Sequence, residues 1–227
     1  MRTRGLVIFD AFNTLVTSHP GSKQTFLAGL IQAGINASTD MLATLHAASE
    51  GLDHSEWSSS RQAYCEWAAE TIASLAQADA ALDADLAPRV VPALEQLHQA
   101  PMVALPDAAA CLAMLKRAGF TIALCSNWGW DLAADLADTG LTGWIDVPTT
   151  SAQAGYRKPH PRIYQATLDL TGCSAEDAVF VGDSLRTDAL GPQRVGIRSV
   201  LLARDAETQI HTEQVASLAE AARLLLG

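Results

Sequence analysis

Short apolar runs that stop at polar, chemistry-bearing residues constrain this chain more than any other feature. Leu6-Val7-Ile8-Phe9 stops at Asp10, and Ala-Phe-Asn-Thr follows. The run at 121–125 (TIALC) stops at Ser126-Asn127, and the run at 178–181 (AVFV) stops at Gly182-Asp183-Ser184, with Asp188 close behind. Runs of four or five residues, partly β-branched and without alternation, read as strands buried on both faces. The same reading covers 199–202. Helical punctuation lies between them. Pro106-Asp107 opens an apolar-periodic segment that Gly119 closes, and Pro161 opens another that Gly172 closes. Ser174-Ala-Glu-Asp177 caps a short turn before the next strand. Strand and helix alternate, which predicts an α/β fold with a mainly parallel sheet and right-handed crossovers. Ligands bind beyond the carboxyl ends of such strands, where Asp10, Ser126 and Asp183 fall.

The alternation breaks between about residues 18 and 105. That stretch is rich in Ala, Leu, Gln, Ser and Glu and has no clear strand signal. It reads as a helical insertion with amphipathic helices at 23–33, 39–50 and 56–77. Asp83, Asp85, Pro88, Pro101 and Pro106 mark loops on its return. The expected division is an α/β core at 1–16 and 105–227 and a helical cap at 17–104.

Composition narrows the partners. Hydrophobic residues make up 49% of the 227 and charged residues 18%, enough for a sizeable core. The net charge of -10 argues against nucleic acid, which needs a basic face, and against anionic membrane surfaces. An acidic site can still take a phosphate if a divalent cation and a lysine reverse the local field. Cys65, Cys111, Cys125 and Cys173 form no CxxC pair, so no zinc site is expected, and a reduced, cytoplasmic setting is. The N-terminus carries neither a secretory apolar region nor a membrane span.

The polar clusters each carry two readings. Asp10 is a nucleophile for phosphorus or carbon, or a capping residue at a strand-to-helix turn. Thr14, one turn on, holds the loop or touches that carboxylate. Ser126-Asn127 offers a hydroxyl, an amide and backbone N–H groups for a phosphoryl oxygen, or is an ordinary turn pair. Pro159 keeps Lys158 out of helical geometry, so its ammonium can reach the carboxylates; the bland alternative is a solvated lysine. Asp183 with Asp10 provides hard oxygen ligands for Mg²⁺, or caps a helix. Asp188 ligates the ion or orients Lys158.

In this order and combination the clusters resemble the four motifs of the haloacid dehalogenase superfamily, over 1–16 and 105–227. The resemblance implies a Rossmann-like three-layer core with a helical cap. It implies Asp10 as nucleophile, Ser126 and Lys158 as the groups that meet the transferring group, and Mg²⁺ held by Asp10, the backbone carbonyl of Phe12, Asp183 and Asp188. Thr14, Asn127 and Arg61 are the expected substrate-binding residues. The implied substrate is a small, phosphorylated molecule.

Two motifs pull apart. The family's phosphatases carry a second Asp two residues after the nucleophile, as general acid and base, and here Phe12 stands there. The family's 2-haloacid dehalogenases lack that Asp, and Asp10-Ala-Phe-Asn-Thr14 is close to their first motif. The segment from Arg61 to Trp67 is similar to their arginine-bearing cap helix. Those dehalogenases need no metal, whereas Gly182-Asp183-Ser184 with Asp188 is the metal-binding form of the fourth motif. The fourth motif weighs more, because a second buried carboxylate beside Asp10 is costly without a cation. A Mg²⁺-dependent phosphatase is therefore the leading expectation. A hydrolytic dehalogenase follows, and then a catalytically weak binding protein. His19, His54 and Glu56 are candidate proton donors, or, as a lone His or Glu usually is, plain surface residues. Trp57, Tyr64 and Trp67 lie at spacings that allow one shared helix face, where they line the pocket entrance or pack the helix onto the core, and Trp128 and Trp130 are expected to border the pocket.

Overall fold

The computed structural model describes residues 4–18, 50–77, 101–204 and 213–227. Six parallel strands form the main sheet: β1 (Leu6–Phe9), β4 (Thr121–Ser126), β5 (Val147–Thr150), β6 (Ala178–Gly182), β7 (Arg198–Leu202) and β8 (Glu213–Val215). Their order is β5-β4-β1-β6-β7-β8, and every neighbouring pair is parallel. β1 is central, which is why its four residues are all apolar and all buried. Its alternation splits the core in two. Val7 and Phe9 pack with Cys111, Leu112 and Leu115 of α2 (Ala108–Arg117) and with Leu218 and Ala221 of α4 (Leu218–Leu226). Leu6 and Ile8 pack with Ile163, Tyr164 and Leu168 of α3 (Pro161–Thr171) on the opposite face. The result is the parallel α/β sheet expected from the alternation, in the three-layer, Rossmann-like arrangement that the resemblance implied.

The punctuation acts as predicted at α3. Pro161 stands at its start, His160 accepts from Arg162 N–H, and Gly172 closes it in the left-handed region at φ 66°. Asp107 precedes α2 but does not cap it with its side chain; the carboxylate instead takes Leu218 N–H at 2.9 Å and the Arg204 guanidinium at 3.2 Å.

Strands that the composition hid lie near both ends of the expected insertion. β2 (Val16–Ser18) pairs antiparallel with β3 (Met102–Ala104), with Val16 opposite Ala104. The helices expected at 23–33 and 39–50 lie outside the described residues, apart from Glu50, which sits in a turn. The third expected helix is shorter than 56–77. Ser55–Trp57 is a separate 3-10 turn, and α1 (Arg61–Gln77) starts after Ser58-Ser59-Ser60. The Ser60 hydroxyl accepts from Ala63 N–H, so serine chemistry at a cap resets the helix start. Among the described residues no helix is long and apolar enough to cross a membrane.

Candidate active site

Three strand ends and one loop bring the expected residues together. Asp10 leaves β1 buried, its N–H donating to Val181 O at 3.0 Å. Asn13 then takes a left-handed turn (φ 59°), a conformation asparagine tolerates better than most residues. Ser126, at the end of β4, donates its hydroxyl to Asp10 Oδ1 at 2.8 Å. Lys158 reaches in from the loop before α3. Its Nζ lies 2.7 Å from Asp10 Oδ1 and 2.7 Å from Asp188 Oδ1. It is buried, so the solvated-lysine alternative fails here.

Asp183 follows β6, and its Oδ1 accepts from the Thr14 hydroxyl at 3.1 Å. Asp188 lies inside a wide helical turn (Leu185–Leu190). Besides Lys158, it accepts from Ser184 N–H at 3.0 Å and from the Thr187 hydroxyl at 3.1 Å. Tyr164 braces that turn from the core, donating to Thr187 O at 2.6 Å. Gly182 is needed behind it, because a Cβ there would stand 2.5 Å from Asp188 Cγ.

Asp10, Asp183 and Asp188 offer oxygen ligands within 4.8 Å of one another, with Asp183 the exposed member. The charge balance is unfavourable for three acids facing one lysine. Burial alone would lower the Lys158 ammonium, but Asp10 and Asp188 outweigh it and hold the group above the ordinary lysine range. Burial pushes the Asp188 carboxyl up against the pull of Lys158. Partial desolvation and then the Asp10 charge push Asp183 up. A divalent cation would relieve this crowding, and carboxylate oxygens suit Mg²⁺. The thiol of Cys125, directly before Ser126, is pushed up to about 12 by burial, so it is no nucleophile near neutral pH.

The remaining expected residues divide. Phe12 is 39% exposed beside Asp10, with its ring 6.4 Å from that of Trp128. Trp130 meets Tyr64 of α1 at 6.3 Å, whereas Trp128 packs against the core and donates its indole N–H to Asp135 at 2.7 Å. Arg61 is not gathered with the acids: its Nε pairs with Asp131 at 2.7 Å on the surface. Asn127 turns its amide onto the main chain of Lys158. Glu56 is exposed, and His19 lies outside the described residues.

His54 is buried, not on the surface. It stacks on Trp67 at 4.2 Å and approaches Tyr64 at 5.5 Å. Burial presses its ring down from 6.5 to about 4, with the Arg157 charge adding to the shift. An unfolded chain would protonate His54 near pH 6.5, and the folded one only near 4. In that window the unfolded state holds more protons, so this contribution is complete above pH 6.5 and lost as pH falls towards 4. The expected loss is on the order of 3 kcal/mol. Urea unfolding at pH 7 and pH 4.5, wild type against His54→Gln, checks it; equal pH dependence in the two proteins contradicts it.

Comparison with known proteins agrees with the geometry. The family model of haloacid dehalogenase-like hydrolases matches residues 5–196. A phosphoserine phosphatase of Thermus thermophilus is 34% identical over 100 residues, covering 44% of this chain and 40% of that protein. A (S)-2-haloacid dehalogenase of Pseudomonas is 30% identical over 148 residues, covering 63% of each. The chain thus spans only 40% and 63% of the length of these two relatives. The fold is shared with the magnesium-bound HAD hydrolase YfnB of Bacillus subtilis, at a TM-score of 0.71, 19% identity and 99% of both chains. With its motifs gathered at the carboxyl ends of the sheet and the family match running over residues 5–196, well over half of the chain, the chain belongs to the haloacid dehalogenase-like hydrolases.

Proposed function

We propose that the chain is a Mg²⁺-dependent phosphatase of a small phosphomonoester that works through an aspartyl-phosphate on Asp10. The observation that carries this reading is the trio Asp10, Asp183 and Asp188, with ligand oxygens within 4.8 Å. Asp10, the Phe12 carbonyl and Asp183 would hold the ion, with Asp188 beside them. When bound, Mg²⁺ supplies positive charge to the phosphoryl oxygens. Asp10 attacks phosphorus with the oxygen that faces the substrate; the ester P–O bond breaks, the alcohol leaves, and water then cleaves the aspartyl-phosphate to release phosphate and free Asp10. Ser126 and Lys158 hold the carboxylate by its other oxygen and meet the phosphoryl group. Asp188 keeps Lys158 in line.

The remaining parts of the proposal follow the fold. The core is 1–16 with 105–227, and the cap is 17–104; the β2–β3 pairing, which closes the insertion at its base, supports this division. A cytoplasmic setting suits the free thiols of Cys111, Cys125 and Cys173.

Phe12 favours a second reading, a 2-haloacid dehalogenase in which Asp10 attacks carbon and halide leaves without a proton. A panel of phosphomonoesters and 2-haloacids, each assayed with Mg²⁺ and with EDTA, separates the two. Phosphate release that needs Mg²⁺ is expected. Halide release in EDTA overturns the phosphatase reading, and no turnover of either class leaves a binding protein.

Phe12→Asp should restore a proton donor. Alkyl leaving groups depend on protonation and nitrophenolate does not, and such help is worth about 10²–10⁴. The ratio of kcat/KM for an alkyl phosphate over nitrophenyl phosphate is expected to rise at least about tenfold in the variant. An unchanged ratio in a folded, Mg²⁺-binding variant would show that position 12 is not a vacant acid position.

A further inference from the structure

Both ends of the Asn127 amide are committed to one residue 31 positions away. Oδ1 accepts from Lys158 N–H at 2.6 Å, and Nδ2 donates to Lys158 O at 3.0 Å. We propose that Asn127 is the positioning residue of Lys158, fixing the main chain from which its ammonium reaches Asp10 and Asp188.

The same stretch of chain is held from its other side by the insertion. Gly51 N–H donates to Lys158 O at 3.2 Å, Arg157 N–H to Leu52 O at 2.9 Å, and His54 N–H to Gly155 O at 2.7 Å. Gly155 allows this closeness: it sits at φ 82°, and a Cβ would stand 2.6 Å from Ser55 Cα. Lys158 is therefore clamped between the end of β4 and the segment 51–55. The clamp matters because lysine is a compact charge on a flexible four-carbon stem. Its Nζ can meet two carboxylates at 2.7 Å only if the main chain is fixed.

Only an amide offers a donor and an acceptor side by side, as the N–H and C=O of one residue require. Aspartate would set a second acceptor against Lys158 O, and alanine would leave both groups without this partner. The placement also joins two motifs. Asn127 directly follows Ser126, so one strand end delivers a hydroxyl to Asp10 and an amide to the lysine that meets the same carboxylate.

The inference rests on the reading that Lys158 meets the transferring group, and a double-mutant cycle separates the two. Lys158→Ala, Asn127→Ala and the double variant are compared with wild type for kcat and KM on the best ester of the panel. Asn127→Ala is expected to lower kcat by about 10²-fold, as a misplacement near 1 Å does, with KM little changed. On top of Lys158→Ala it should cost less than about threefold, because the group it positions is gone. A structural role alone would give the same factor in both backgrounds, and that result overturns the proposal. So does an Asn127→Ala kcat within threefold of wild type. A Lys158→Ala variant with wild-type turnover instead overturns the reading of Lys158, and the positioning role with it. Where turnover of Lys158→Ala is too low to read, the same cycle is run on the Kd of inorganic phosphate. Where Asn127→Ala does not fold, Asn127→Asp, which keeps the shape and loses the donor, takes its place.

Discussion

Replacing Asp10 by asparagine is expected to lower kcat by at least about 10⁴-fold, the scale seen when a hydrolase loses its covalent nucleophile. The chemistry is simple. An amide oxygen of Asn is too weak a nucleophile to displace a leaving group from phosphorus, and the aspartyl-phosphate cannot form. The fold should survive. Asn has the shape of Asp, and its Oδ1 can still accept from Ser126 and Lys158, which reach Asp10 at 2.8 and 2.7 Å. Lys158 also keeps Asp188 at 2.7 Å, so no buried cation is left without a carboxylate. The neighbouring Asp183 gains, because the Asp10 charge is one cause of its raised carboxyl. Asp10→Asn should therefore melt at or above the wild-type temperature in the absence of metal. Turnover within tenfold of wild type would remove Asp10 from the mechanism.

The second large effect is expected from the metal. Excess EDTA should abolish phosphate release, and Mg²⁺ should stabilise the folded chain, since a ligand bound only by the native state adds RT ln(1 + [L]/Kd). At a hundredfold excess over Kd this is about 2.7 kcal/mol, or roughly 5–10 °C in melting temperature for a chain of this size. Asp183→Asn should remove most of that shift. Asp183 is the exposed member of the acid trio, and its raised carboxyl marks a charge that lacks compensation. The melting shift requires no turnover, so it tests the site independently of the substrate. An equal shift in Asp183→Asn, or full activity in EDTA, would contradict the metal site and favour attack on carbon.

The central strands were legible in the sequence, and the edges of the sheet were not. β1, β4, β6 and β7 are apolar runs because each has a strand on both sides and helices on both faces. β5 and β8 are the two edge strands. Val147-Pro148-Thr149-Thr150 carries a proline and two threonines, which an edge tolerates and a run-based reading passes over. β8 has only three residues.

At the site, residues that follow strands were readable, because a polar residue ending an apolar run is a local signal. Partners joined across the fold were not. The Asn127 amide meets a main chain 31 residues away, and the Thr14 hydroxyl meets Asp183 across 169 residues; neither leaves a periodic mark. Arg61 matched a helix pattern, but its partner Asp131 lies 70 residues away on a loop that the pattern could not place. His54 reads as a lone surface histidine. It is buried because Tyr64 and Trp67, on the next helix, close over it.

The most direct test of the account is the covalent intermediate itself. The protein is mixed with Mg²⁺ and the best phosphomonoester, quenched in acid within one turnover, digested and read by mass spectrometry. One phosphoryl group on the peptide that carries Asp10, absent from Asp10→Asn, is the expected result. Turnover that proceeds with no phosphoryl group on that peptide, or with one on another residue, would contradict it.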